Sequence, residues 1–132
     1  FGLSTLESLS SGTPIIVTMT GGLQEQVTDG EEWFGVGVEP SSKAVIGSQT
    51  VPYIYEDRLC KDDVINALLT MYNMPKEERN EMGRKGMEHV RKNYNFEDYG
   101  KKWDEIFEDV YEKRGSWGDR KNHKKWHLLE IK

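Results

Sequence analysis

The chain reads as an α/β protein in which a short parallel sheet, flanked by helices, precedes a helical C-terminal half. Three observations predict this. A leucine-spaced helix passes through a Gly-Thr-Pro turn into a continuous apolar strand, which is half of an α/β repeat. A second short strand, rich in glycine, follows before residue 40. From Lys61 onward, successive segments carry helical periodicity.

Leu3, Leu6 and Leu9 recur at helical spacing, and Ser11-Gly12 closes the run with a glycine suited to the left-handed C-cap. Thr13-Pro14 stops the helix. Ile15-Ile16-Val17 is the apolar run of a strand buried on both faces. Thr20-Gly21-Gly22 leads into a short helical turn over Leu23 to Val27, and Thr28-Asp29-Gly30 signals another turn. Trp33 to Val38 predicts the second strand, with Gly35 and Gly37 where neighbouring backbone comes close. In the stretch Lys43 to Asp57, Val45-Ile46 and Val51 to Tyr55 flank Gly47-Ser48-Gln49. That predicts an irregular hairpin, with Pro52 confining one arm to an edge.

A helix beginning near Lys61 lines one face with Val64, Ile65, Leu68, Met71 and Tyr72, and Asp62 and Asp63 suit its positive end. Pro75 opens the next helix, where a missing N–H is harmless; Met82, Met87 and Val90 form its sparse apolar face. Asn95 caps a third helix with Asp98 at a capping-box position. Its stripe of Phe96, Tyr99, Trp103, Ile106, Phe107 and Val110 is expected to be core.

At 132 residues there is room for one domain. The composition, 36% hydrophobic and 31% charged, is that of a polar-surfaced globular chain. No stretch approaches the ~20 apolar residues of a membrane span. Cys60 is the sole cysteine, which favours a reducing compartment and a cytoplasmic location. A net charge of -5 argues against nucleic acid as a partner, because affinity there rests on neutralising phosphates. The tail from Arg114 onward is nevertheless basic.

Phe1-Gly2-Leu3-Ser4 feeds the first helix, whose leading amides lack intrahelical partners and carry partial positive charge. Such an end attracts phosphate. Gly2 lets the backbone approach an anion, and the Ser4 hydroxyl adds a donor. Glu7 stands one turn deeper, and helical side chains lean toward the N-terminus. Its carboxylate either complements the helix dipole or accepts hydrogen bonds from a vicinal diol. Phosphate at the loop with ribose at Glu7 would read a nucleoside diphosphate.

The segment "FGLSTLESLSSGTPIIVTMTGGLQEQVTDG" resembles the nucleotide-sugar-binding segment of the family 4 retaining glycosyltransferases, which have the GT-B fold. Phe1-Gly2-Leu3 and Glu7 match the register of that family's two-glutamate motif. Gly12-Thr13-Pro14 matches its turn, and Gly21-Gly22 with Glu25 matches a later element. The likeness covers residues 1 to about 40 and 61 to about 112, including Glu78-Arg79, Met82-Gly83 and Tyr94 to Phe96.

The resemblance implies a partial Rossmann-like C-terminal domain, truncated over residues 1–113, with an insertion at about 41–60 and a basic tail at 114–132. It implies a glycosyltransferase of hexosyltransferase type that moves a sugar from a nucleoside-diphosphate sugar to a glycan, lipid or other acceptor. Phe1, Gly2, Leu3, Ser4 and Glu7 are the implied donor-binding residues; Thr20, Gly21, Gly22 and Glu25 are secondary candidates. The motif's first glutamate would fall just before Phe1, so no catalytic residue is assigned and the isolated chain is expected to be inactive. No metal or other cofactor is implied. The insertion either shapes access to the site or decorates an edge.

Glu25 either bonds near the donor or complements its helix, and Thr20 with the two glycines either approaches the sugar or makes the turn. His123 and His127 stand four apart but lack a third ligand at metal-binding spacing, and His89 lacks ligating partners. The tail, with Arg120, Lys121, Lys124, Lys125 and Trp126, suits packing onto an absent N-terminal half, a solvated extension or peripheral membrane contact. Loss of preceding βα units would bare a sheet edge, so a homodimer is expected. The alternative is a non-catalytic nucleotide-binding or oligomerisation module.

Overall fold

The computed structural model describes residues 1–116 together with 118 and 121. It divides into two compact units, Phe1–Asn93 and a second beginning at Tyr94. In chain order the elements are α1 (Leu3–Ser10), β1 (Ile15–Thr18), a single 3-10 turn (Gly21–Leu23), α2 (Gln24–Val27), β2 (Gly35–Val38), β3 (Ser42–Ile46), β4 (Ile54–Arg58), α3 (Lys61–Asn73), α4 (Lys76–Asn93) and α5 (Phe96–Arg114). This is a mixed α/β architecture with a helical C-terminal half.

α1 ends as its sequence dictates. Gly12 takes φ +76°, its amide bonds Leu9 O at 2.9 Å, and the Thr13 amide bonds Ser8 O at 3.0 Å. That pair of bonds is a Schellman motif, which satisfies carbonyls the helix end would otherwise leave unmet. The turn delivers the chain into β1, which pairs parallel with β2, Ile15 opposite Gly35 through Thr18 opposite Val38. Leu9, Ile15, Val17, Val27, Phe34, Val38, Ala67 and Val90 are buried and form the core of the first unit. Two strands alone make a marginal sheet, so the helices around it supply most of the apolar cover.

Gly35 is required by close backbone approach, as expected: a Cβ there would lie 2.0 Å from the Ile15 carbonyl oxygen. Gly37 meets side chains instead, with Met19 Sδ 2.4 Å and the Trp33 ring 3.1 Å from the same hypothetical atom. The 43–57 hairpin forms with Ser42 opposite Arg58 and Ile46 opposite Ile54. Pro52 lies in its loop rather than in an arm, and β3–β4 is a separate two-stranded sheet rather than an addition to the β1–β2 edge.

The helices depart from expectation in which side they bury. α3 buries Ala67 and half-buries Val64 and Met71, whereas Ile65, Leu68 and Tyr72 are exposed. α4 buries Gly83, Gly86 and Val90, while Met82 and Met87 are half-covered. Here small residues make the contact. A Cβ on Gly83 would lie 1.9 Å from Gly12 O, and one on Gly86 would lie 2.6 Å from Leu9 Cδ2. α4 therefore rests directly on α1 and its terminal turn. The α3–α4 junction is held by Arg79, whose Nη1 donates to the carbonyls of Met71 (3.2 Å), Tyr72 (3.2 Å) and Met74 (2.7 Å). These are the end-of-helix acceptors that a cation suits.

α5 is capped as read: Asn95 Oδ1 accepts the Asp98 amide at 2.8 Å, and Asn95 Nδ2 donates to Asp98 Oδ2 at 2.9 Å. Its aromatic stripe is not core. Phe96, Tyr99, Trp103, Ile106, Phe107 and Val110 are all exposed, Phe96 by 85% and Trp103 by 41%. The rings instead form a ladder along the helix, with centroids 5.9, 6.2 and 5.3 Å apart from Phe96 through Tyr99 and Trp103 to Phe107. Periodicity fixed the face but not its cover, and α5 is the one helix or strand among the described residues of its unit. Most of the basic tail, including Arg120, Lys124, Lys125, Trp126 and both His123 and His127, lies outside the described residues. Among the described residues no helix is long and apolar enough to cross a membrane.

Candidate functional site

The front of α1 differs chemically from the other long helices. α3 begins with Asp62 and Asp63, α4 with Glu77 and Glu78, and α5 with Glu97 and Asp98. α1 carries no acidic residue in its first turn, and its N-cap, Gly2, has no side chain to bond the leading amides. The positive end of its dipole and the amides of its first turn are thus uncompensated from within the helix.

The fold brings the two predicted stretches together. Gly22 stands close enough to Phe1 that a Cβ on it would be 3.6 Å from Phe1 Cα. A Cβ on Gly2 would lie 2.6 Å from Thr5 Oγ1, 2.8 Å from Leu23 Cδ2 and 3.4 Å from Gln26 Oε1. The N-terminal loop of α1 therefore sits against Gly22 and Leu23; a Cβ at Gly22 would make only ordinary contact with Phe1, whereas one at Gly2 would clash. Gly21 takes φ +50°, a conformation glycine adopts without strain, and a Cβ there would meet nothing within 4 Å. Thr20 is engaged in the turn: its amide bonds Thr18 O at 2.8 Å and its hydroxyl lies 3.3 Å from that of Thr18.

Phe1, Leu3, Ser4 and Glu7 are exposed. Leu3 and Glu7 are four apart and share a face, opposite the buried Leu9 side. Among the described residues the Glu7 carboxylate has neither an ion-pair nor a hydrogen-bond partner, and the Ser4 hydroxyl likewise has none. Glu25 is exposed in the first turn of α2, and its carbonyl lies 3.0 Å from His89 Nε2. That contact, with the His89 ring stacked on Phe34 at 4.4 Å, gives His89 a structural place between α4 and the sheet.

Two further residues belong to this region and were not singled out from the sequence, Thr5 and Gln26. Thr5 Oγ1 donates to Gly2 O at 2.7 Å and also meets Gln26 Oε1. Gln26 is fully buried, the one polar side chain in the core of the first unit, and its Nε2 has no partner. A glutamine in a short helical turn gives no sequence cue to burial, since the type is normally exposed. A concavity of about 310 Å³ is lined by Asp29, Phe34, Lys85 and His89 among others, and by none of residues 1–7. The Asp29 carboxyl there is held below its ordinary range by the Glu32 and Glu31 amides, which it accepts at 2.8 and 3.1 Å.

Among the described residues no group of three or more His, Cys, Asp or Glu could hold a metal ion. Cys60 is a free thiol at the N-cap of α3. No protein-family model, curated protein or solved structure matches the chain.

Proposed function

We propose that residues 1–113 are the donor-binding part of a retaining glycosyltransferase, with β1 and β2 belonging to a Rossmann-like sheet of the GT-B type and α2 to the connection between them. One observation carries the reading. The uncapped front of α1 lies against the Gly21–Gly22 turn, with the unpaired Glu7 carboxylate exposed one turn deeper. In this reading the Phe1 to Ser4 backbone and the Ser4 hydroxyl donate to the diphosphate of a nucleotide sugar. Glu7 accepts the ribose hydroxyls, a role for which a carboxylate suits a diol and not a phosphate. As the glycosidic bond breaks, charge grows on the leaving diphosphate, and preorganised amides at a helix end stabilise it. The acceptor is a glycan, a lipid or another hydroxyl-bearing molecule.

Isothermal titration of the chain with UDP, GDP and ADP, free and as their sugar conjugates, tests this. One base should bind, and Glu7→Ala should weaken it by roughly tenfold or more, the scale of hydrogen bonds to a charged group. Undiminished binding by Glu7→Ala would refute the ribose role, and no binding of any nucleotide would refute the donor site. The exposed aromatic ladder of α5 favours a second reading, an oligomerisation module without chemistry. Self-association together with indifference to all three nucleotides would support it.

A further inference from the structure

Gln26 presents a puzzle that packing alone does not resolve. Its side chain is wholly buried, and one end of its amide has no hydrogen-bond partner. Thr5 Oγ1 carries a single proton and faces two oxygens, Gly2 O and Gln26 Oε1. A half-turn of the amide lets its nitrogen donate to Oγ1 while Oγ1 donates to the Gly2 carbonyl. That completes the chain from Gln26 to Gly2 but still leaves the far end of the amide unmet. An unpaired buried polar group weakens a fold, and an apolar side chain of similar size would serve the core better. What the glutamine does achieve is to tie α2, through Thr5, to the carbonyl of the α1 N-cap.

Resting on the donor-site reading, we propose that Gln26 and Thr5 are positioning residues that hold the Gly2 peptide, and hence the free amides of α1's first turn, in the orientation that receives a diphosphate. Neither side chain touches the ligand. The Gly2 carbonyl accepts the Thr5 hydroxyl, and in the planar trans peptide the Leu3 amide then points the opposite way. Gly2 itself is confined by the same contacts, since a Cβ there would collide with Thr5 Oγ1 and Leu23.

The test compares wild type with Thr5→Val, Thr5→Ser, Gln26→Leu and the Val/Leu pair, by titration with whichever of UDP, GDP or ADP the wild type binds and by urea unfolding. Thr5→Val should weaken binding by roughly fivefold to tenfold, the scale of one hydrogen bond, and Thr5→Ser should restore it. The pair should lose no more affinity than Thr5→Val alone, as expected of one relay, while unfolding at the same or higher urea concentration. Loss of affinity without loss of stability is what a merely structural pair would not show. Thr5→Val binding as tightly as wild type would overturn the relay while leaving the donor site standing. So would affinity and stability falling together in the Val/Leu pair; should the glutamine variants fail to fold, Thr5→Ser binding no more tightly than Thr5→Val would overturn it as well. Wild type binding no nucleotide would remove both.

Discussion

Replacing Gly83 by alanine should destabilise the first unit by about 3 kcal/mol, against the ordinary trend for a helix. In an unhindered helix interior, Gly→Ala gains about 1 kcal/mol. At Gly83 the new Cβ would lie 1.9 Å from the Gly12 carbonyl oxygen and 2.8 Å from its carbon. Carbon and oxygen rest no closer than about 3.3 Å, so the two backbones must part by more than an ångström. Gly12 cannot yield cheaply, because its positive φ and the bonds to Leu9 O and Ser8 O define the end of α1. Overpacking of this kind costs about 1–3 kcal/mol, and the two turn bonds contribute about 1 kcal/mol each. Subtracting the helix gain leaves the figure above, a fall in melting temperature of roughly 12–24 °C for a unit of this size. Urea unfolding followed by circular dichroism measures it. Gly100→Ala in α5 is the control, since its Cβ would meet nothing within 4 Å and the helix there should become more stable. Equal stabilisation by both substitutions would show that α4 does not rest on the α1 turn.

Asp29 should make part of the 28–33 turn dependent on pH. Its carboxyl is depressed by the Glu32 and then the Glu31 amide, so its contribution is present above its unfolded value of about 3.9 and is lost as pH falls through the lower folded value. NMR titration of the Glu31 and Glu32 amide shifts should follow that acid step in the wild type and lose it in Asp29→Asn. The α5 ladder should drive concentration-dependent self-association in sedimentation experiments, and Trp103→Glu with Phe107→Glu should suppress it; a wild type monomeric at high concentration would refute this. Asn95→Ala should destabilise α5 by about 1 kcal/mol through loss of its cap to the Asp98 amide, read as fraying in hydrogen exchange of the first turn.

The sequence by itself determined the local structure. Leu3, Leu6, Leu9 and Gly12 specify α1 and its end, Ile15 to Val17 the first strand, and Asn95 with Asp98 the cap of α5, because each signal lies within a few residues of the backbone it governs. The tertiary structure decided what faces what. The α4 contact uses Gly83 and Gly86, which a search for apolar stripes passes over, and the α5 aromatics stay uncovered although their spacing is that of a core face. The candidate site divides the same way. Its front, Phe1 to Glu7, was legible as a helix start, whereas the turn at Gly22 and the buried Gln26 that meets Thr5 reach that front only once β1 has carried the chain back beside α1. Hydrogen bonds and close contacts between distant residues depend on that return path, and no local pattern encodes it.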